Sequence, residues 1–377
     1  MPSLDEFAAE KLAQLETARL RRTLAETVRE DGIWVEREGR RLLSFSCNDY
    51  LNLTHHPGVK GAAAVALLKY GVGSGASRLV TGNHPLFGEL EEKLARLKGA
   101  EAACVFGSGY LANTGIIPSL IGAGDLLLID ALSHACLWAG AQLSRGTVLT
   151  FRHNDVDHAG ELLKAHRGQH KNALLVTDGV FSMDGDLAPV ADLIALTRAH
   201  DTWLMTDDAH GVGVLNGGRG SGDPAIDLQM GTLSKAIGSY GGYVCGSQSV
   251  IDLIKTRART LIYSTGLPPA SVGAAIAALD VIVKDQALTA RPVEKARAFT
   301  RSLDLALAQS PIVPLVLGEP DAALSAAKFL EEKGFLVVAI RPPTVPEGTA
   351  RLRFAFTAGH DDADIARLAE AVREILP

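Results

Sequence analysis

No apolar run in this chain of 377 residues approaches the length of a membrane span; the longest, such as Leu126-Leu-Leu-Ile129, are strand-sized. Long Lys/Arg runs are missing too, and the formal net charge is −6. That balance argues against general nucleic-acid binding, because phosphate contacts need a basic surface. Cysteine is scarce: Cys47, Cys104, Cys136 and Cys245 lie far apart, with neither a CxxC pair nor a disulfide-framework spacing. They read as small core residues in a reducing compartment. Residues 1–30 mix both charge signs and contain no apolar h-region, so no secretory signal is expected and a cytoplasmic enzyme is the working class. Neither an internal repeat nor a low-complexity tract is found. What the chain has instead is glycine, 38 of them, gathered in loops between apolar segments. Its 47% hydrophobic residues are enough for a large core over two domains.

Leu4, Phe7, Leu12, Leu15, Leu20 and Leu24 form a roughly helical stripe, so residues 1–45 are expected to begin with a helical arm over 4–30. Glu38-Gly-Arg40 reads as a hairpin turn between short strands at 33–35 and 42–45. Residues 46–285 are expected to form a large domain. There Phe87, Leu90, Leu94 and Leu97 keep helical spacing, and strand-like runs at 102–106, 126–129, 147–151, 173–177 and 203–206 alternate with helical segments. That alternation predicts a mostly parallel sheet covered by helices, with ligands at the carboxyl ends of its strands. After Leu267-Pro-Pro269 an alanine-rich helix over 274–283 leads into a smaller α+β domain, 286–377. It is expected to hold helices near 293–309 and 321–333 and strands at 312–316, 336–340 and 350–356.

Lys235 stands out from the other lysines by its surroundings, Gly231-Thr-Leu-Ser-Lys-Ala-Ile-Gly238. A lysine that forms a Schiff base needs small neighbours that admit a planar ring, hydroxyls for a phosphate, and a carboxylate elsewhere to keep a pyridine nitrogen protonated. Asp207 ends a strand-like run and opens Asp207-Asp-Ala-His210. By itself it reads more simply as a helix cap in a strand–helix loop; with Lys235 it reads as the ring-nitrogen partner, and pyridoxal 5'-phosphate is the expected cofactor. His210 suits a hydrogen bond to a ring hydroxyl or has no task. No second ligand cluster accompanies Asp207, Asp208 and His210, so no metal is expected. Gly107-Ser-Gly-Tyr110 follows a strand and precedes a helix expected from about 111, a fit for phosphate on exposed amides or for a plain turn. Thr232 and Ser234 offer hydroxyls to the same phosphate. Gly71-Val-Gly-Ser-Gly75 follows a helical stretch rather than a strand, which sets aside a nicotinamide dehydrogenase. His134, just past a strand, suits stacking on a flat cofactor or is a surface loop residue. Arg341-Pro-Pro-Thr-Val-Pro346 and Arg351-Leu-Arg353 hold guanidiniums for a carboxylate, unless they merely decorate an edge strand. A non-catalytic binding protein is the other class, opposed by the presence of both Lys235 and Asp207.

Seven segments carry a resemblance that spans nearly the whole chain: Phe45-Ser-Cys-Asn-Asp-Tyr-Leu51, Gly73-Ser-Gly-Ala-Ser-Arg78, Thr81-Gly-Asn83, Asp178-Gly-Val-Phe-Ser-Met-Asp-Gly185, Asp207-Asp-Ala-His-Gly211, Thr232-Leu-Ser-Lys235 and Tyr263-Ser-Thr265. They resemble the α-oxoamine synthases, a group of fold-type I pyridoxal phosphate enzymes. The resemblance implies an α/β fold with a large cofactor domain, its central sheet mostly parallel, and a smaller C-terminal α+β domain. It implies that Lys235 is the Schiff-base lysine, Asp207 the ring-nitrogen partner, His210 and Ser182 the ring-hydroxyl partners and His134 the stacking residue. Gly109, Tyr110 and Thr232 match phosphate contacts, and Thr265 matches one lent by the neighbouring subunit of a homodimer. Asn48 and Arg353 match positions for the active site and the amino-acid carboxylate, Thr344 a substrate contact, and Arg21 lies in an arm implied to touch the acyl substrate. Arg341-Pro342 resembles the branch that condenses L-alanine with a pimeloyl thioester, on coenzyme A or an acyl carrier protein, for biotin synthesis. The branches that make 5-aminolevulinate or 2-amino-3-ketobutyrate are the alternatives.

Overall fold

A computed structural model describes residues 1–18, 20–30 and 32–376. Three short strands open the sheet structure: β1 (Val28–Arg29), β2 (Trp34–Arg37) and β3 (Arg40–Ser44). Glu38 and Gly39 join β2 to β3 with φ of 50° and 72°, the two left-handed residues that a tight hairpin turn requires. The helix before them runs only from Leu4 to Thr17 and buries none of its residues. Leu20 and Leu24 are therefore off the expected stripe: with no face packed on a core, nothing extends the helix through the arginines that follow.

The central sheet consists of β4 (Ala102–Phe106), β5 (Leu126–Asp130), β6 (Thr147–Phe151), β7 (Ala173–Asp178), β8 (Trp203–Asp207), β9 (Leu228–Thr232) and β10 (Gly242–Gly246). Its order is β4-β10-β9-β8-β7-β5-β6, parallel throughout except for β10, which is antiparallel to both its neighbours. The five expected runs are all strands, and β5, β7 and β8 each continue one residue further to end on an aspartate. Nothing in the sequence reading marked β9 or β10, which hold little β-branched sequence and several glycines. Gly231 shows why: a Cβ there would lie 2.5 Å from the Tyr243 hydroxyl on the paired strand.

Side chains alternate across this sheet and divide between two helical layers. Val105 and Tyr243 pack with Val59, Phe87, Leu90 and Val272 under the helices Pro57–Tyr70, Leu86–Lys98 and Pro269–Lys284. Phe106 and Val244, one residue on, pack with Ile116, Leu137 and Ile251 under the helices Gly109–Leu120, Ala135–Leu143 and Gln248–Arg257.

A second sheet holds β11 (Ile312–Gly318), β13 (Val338–Ile340) and β14 (Ala350–Ala355) in the order β11-β14-β13, all antiparallel. The expected strand at 336–340 is split: β12 (Phe335–Leu336) leaves to pair in parallel with β3. Leu43 and Phe45 accordingly share a core with Phe299, Leu330, Phe354 and Leu368. The helix expected to reach residue 309 spans Gln286–Ser302, because Asp304 takes a left-handed φ of 52° and ends it. Among the described residues, no helix is long and apolar enough to cross a membrane.

Candidate active site

Four neighbouring strands end at one place. The parallel register sets Asp178 beside Asp207 and Asp207 beside Met230, two residues before Thr232 at the end of β9. The chain leaving β5 reaches His134, which caps the Ala135–Leu143 helix. Both aspartates are buried. One oxygen of Asp207 accepts a hydrogen bond from Asn113 Nδ2 at 2.7 Å and the other from the Ala209 amide at 3.0 Å. Asp178 accepts the His134 amide at 2.9 Å. Burial, reinforced by the charge of Asp207, pushes the Asp178 carboxyl well above its usual range.

Lys235 follows β9 into this group, its carbonyl accepting the Gly238 amide at 2.8 Å while its side-chain amine makes no hydrogen bond or ion pair with any described residue. Burial lowers its pKa against the pull of Asp207, and the Arg353 guanidinium lowers it further. The Nδ1 atom of His134 accepts the Cys136 amide at 3.2 Å, which leaves its proton on Nε2. Desolvation lowers the His134 pKa, with Asp207 opposing and Lys235 assisting, so the ring is neutral at pH 7.

A short distance away along the sheet, Ser108 caps the Gly109–Leu120 helix by accepting the Leu111 amide at 3.1 Å. The helix thus starts two residues before the position expected, and the Gly109 and Tyr110 amides have no partner among the described residues. A Cβ on Gly109 would sit 3.6 Å from Thr232 Oγ1. That hydroxyl lies 2.8 Å from Ser234 Oγ and donates to the Gly241 carbonyl at 2.9 Å. Gly109, Tyr110, Thr232 and Ser234 are therefore together at a helix N-terminus, an arrangement suited to phosphate.

Arg353 gathers a second set. It donates to the Ser182 carbonyl at 2.5 Å, to Asn48 Oδ1 at 3.2 Å and to the Tyr50 hydroxyl at 3.5 Å. Tyr50 in turn lies 2.7 Å from His210 Nδ1. Burial, with Lys235 and Arg353 adding to it, holds the His210 pKa well below its usual value, and burial raises that of Tyr50. The neutral imidazole receives the phenolic proton at Nδ1, which leaves its own on Nε2. The edge-strand reading of these arginines fails, since β14 is the middle strand and Arg351 and Arg353 are only 4% and 6% exposed. Arg351, two residues away on the same face, donates to the Met183 carbonyl and pairs with Asp184.

A cavity of about 600 Å³ opens over this cluster, lined by His134, Trp138, Ser182, Thr344, Val345 and Arg22. Arg22 donates to Thr344 Oγ1 at 3.1 Å. Arg21, the residue expected here, is instead paired with Glu16 at 3.0 Å and does not line the cavity, because the chain has already left the helix and alternate side chains diverge. Thr265 is exposed and bridges to Ser77, with no contact to the other expected site residues in this chain. Among the described residues no group of three or more His, Cys, Asp or Glu could hold a metal. Tyr50, Asn113, Asp178 and Arg22 were not anticipated. Tyr50 and Asp178 stand inside motifs already singled out, whereas Asn113 carries no signal beyond lying one helical turn past Gly109.

The residues fit pyridoxal phosphate. An unpaired amine, a buried carboxylate and free helix amides face the same strand ends, and the buried Asn113 Oδ1 and Ser133 Oγ have no partner among the described residues. The profile of the aminotransferase class I and II family matches residues 40–372. The 8-amino-7-oxononanoate synthase of Methylocella silvestris is 69% identical over 344 residues, covering 90% of this chain and 98% of that one. That of Beijerinckia indica subsp. indica is 63% identical, covering 100% and 99%. Among solved structures, serine palmitoyltransferase of Sphingomonas wittichii has a TM-score of 0.92 at 28% identity, covering 99% of this chain and 98% of that one. The 8-amino-7-oxononanoate synthase of Francisella tularensis has 0.75 at 27%, covering 89% and 96%.

Proposed function

The chain belongs to the aminotransferase class I and II family and, at 63–69% identity, to its 8-amino-7-oxononanoate synthases; on that premise we propose how its residues join L-alanine to a pimeloyl thioester. Carbon dioxide and the free thiol carrier leave, and 8-amino-7-oxononanoate for biotin synthesis is the product. The observation that carries the assignment of roles is the amine of Lys235, unpaired among the charged groups at the strand ends.

Gly109, Tyr110, Thr232 and Ser234 would hold the cofactor phosphate, Asp207 its ring nitrogen, and His210 Nε2 and Ser182 its ring hydroxyl, with the neutral ring of His134 available to stack on it. Bound there, pyridoxal phosphate supplies an aldehyde for an amine and a ring that withdraws electrons from the alanine α-carbon. Asn113 orients the Asp207 carboxylate and keeps it from turning toward Lys235. Arg353, steadied by Asn48 and Tyr50, receives the alanine carboxylate. Lys235 Nζ, its proton affinity reduced by burial, takes the α-proton and later returns one to the same carbon after the carboxylate has left as carbon dioxide. Between those transfers the α-carbon bonds the acyl carbon and the thiolate departs. The apolar wall of Trp138 and Val345 suits the methylene chain of the acyl group, with Arg22 and Thr344 at its polar end.

A homodimer completes the site in this reading. Leu79, Val80 and Tyr263 are exposed on two loops tied together by the Ser77–Thr265 bridge, an apolar patch that a second copy would cover while bringing its Thr265 to the phosphate. Four free cysteines accord with a cytoplasmic location. The test is a panel of pimeloyl, succinyl, acetyl and palmitoyl thioesters, each on coenzyme A and on carrier protein, against alanine, glycine and serine, read by product mass. Pimeloyl with alanine is expected to dominate; preference for succinyl with glycine or palmitoyl with serine would overturn the substrate assignment.

A further inference from the structure

Asp207 and Asp208 are adjacent, yet their side chains leave the sheet on opposite faces. Asp207 meets Asn113, from the Gly109–Leu120 helix of one layer; Asp208 meets Lys98, the last residue of the Leu86–Lys98 helix of the other. Lys98 is fully buried, and its Nζ donates at 2.6 Å both to Asp208 Oδ2 and to the Arg219 carbonyl. The other Asp208 oxygen accepts the Ser221 amide at 3.0 Å and the Ser221 hydroxyl at 2.7 Å. Gly179, Gly211 and Gly220 wall this network so closely that a Cβ on any of them would strike Asp208 or Ser221. The Asp208 carbonyl then accepts the Gly211 and Val212 amides, shaping the turn that carries His210.

We propose that Lys98 is a positioning residue for the cofactor-binding turn: its ion pair with Asp208 clamps one side of the Asp207–His210 segment and so sets the aim of Asp207 and His210 on the other. This rests on the reading of the site given above. A residue fixed on one face of a strand end cannot roll without turning its neighbour, so the grip on Asp208 limits the freedom of Asp207. The clamp touches neither cofactor nor substrate, and its loss changes how the cofactor is held electronically while leaving the alanine carboxylate site intact.

The experiment compares wild type, the double variant Lys98→Met/Asp208→Asn, which removes both charges so that neither is left buried alone, and Ser221→Ala. The readouts are the pH midpoint of the visible absorption change of bound pyridoxal phosphate, kcat and KM for alanine, and melting temperature. The double variant is expected to move the midpoint by about half a pH unit or more. Its kcat should fall about tenfold, with KM for alanine within about twofold. Ser221→Ala is expected to move the midpoint in the same direction by less. A double variant that melts lower but keeps the wild-type midpoint and kcat overturns the proposal, since a merely structural pair would behave so. If the double variant does not fold, an unmoved midpoint in Ser221→Ala overturns it instead. A wild type that shows no visible band with added pyridoxal phosphate overturns the reading of the site itself, and this proposal with it.

Discussion

Lys98 and Lys235 answer to adjacent carboxylates, Asp208 and Asp207, and their surroundings leave them in opposite states. The amine of Lys98 is held by an ion pair and a carbonyl, with no exposed surface at all. The amine of Lys235 has no partner, and Asp207 directs its oxygens to Asn113 and a backbone amide instead. A buried ammonium that is fully bonded is structural and inert; one left without a partner loses its proton more readily and is free to react. In the proposed reading, reactivity comes from withholding at Lys235 the contacts that Lys98 receives.

Removing the unpaired amine tests that contrast most severely. Lys235→Ala is expected to lose the visible band of bound cofactor and to lower turnover by roughly 10⁴-fold or more, with the melting temperature of the cofactor-free protein nearly unchanged because the amine has no hydrogen-bond partner there. A mutant that turns over normally would hand the chemistry to another group. Asp207→Asn keeps the Asn113 contact in shape but removes the charge, and kcat is expected to fall roughly 10²–10³-fold. Exchange of the alanine α-proton into solvent, followed by NMR, should slow in step; a wild-type exchange rate would strip Asp207 of its part. Arg353→Ala takes away the hydrogen bonds meant for the alanine carboxylate, and KM for alanine should rise about 10- to 100-fold. An unchanged KM with a lowered kcat would instead make Arg353 a support for Ser182 and Tyr50.

The smallest effect lies further along the sheet, at a histidine that, like Lys98, is held by carboxylate. His153 sits between Asp130, at 3.0 Å, and Asp186, at 2.8 Å, and so ties the end of β5 to the Ser182 loop. Burial works against its charge, but the two carboxylates outweigh it and hold the pKa up at about 10. A pKa raised above the unfolded 6.5 means the stabilisation is fully present below that pH and is lost as pH rises through about 10. His153→Gln is expected to melt roughly 2–4 °C below wild type at pH 6, with the gap closing above pH 10. A gap independent of pH would show that shape rather than charge holds the loop.

Five central strands were legible because each is a short β-rich, mostly apolar run between helical segments; β4, β5 and β7 are buried almost throughout, whereas β6, at the sheet edge, is largely exposed. β9 and β10 were not, since their glycines exist to let Gly231 and Tyr243 pass closely, and closeness between strands is not written along either one. Lys235 and Asp207 stood out as candidates for a related reason: each lies in a short segment whose own chemistry is distinctive. Their partners could not. Asn113 is 94 residues from Asp207, Lys98 is 110 from Asp208, and Tyr50 is 160 from His210. Arg22 rather than Arg21 lines the cavity, a single step of register, because once the helix ends at Thr17 the direction of each side chain depends on what the arm packs against.

Local pattern, which depends on neighbours a few residues apart, was enough for the sequence alone to settle the class of fold and the type of cofactor, and to single out Lys235 and Asp207 as the candidate lysine and carboxylate. Only the tertiary structure decided which groups surround them: that Arg353 is buried in a middle strand rather than exposed at an edge, that Arg22 and not Arg21 faces the cavity, and that the amine of one lysine is ion-paired while that of the other has no partner among the described residues. Hydrogen bonds and ion pairs form between atoms a few ångströms apart, and it is the crossing of strands and helices distant in the chain that brings those atoms within reach.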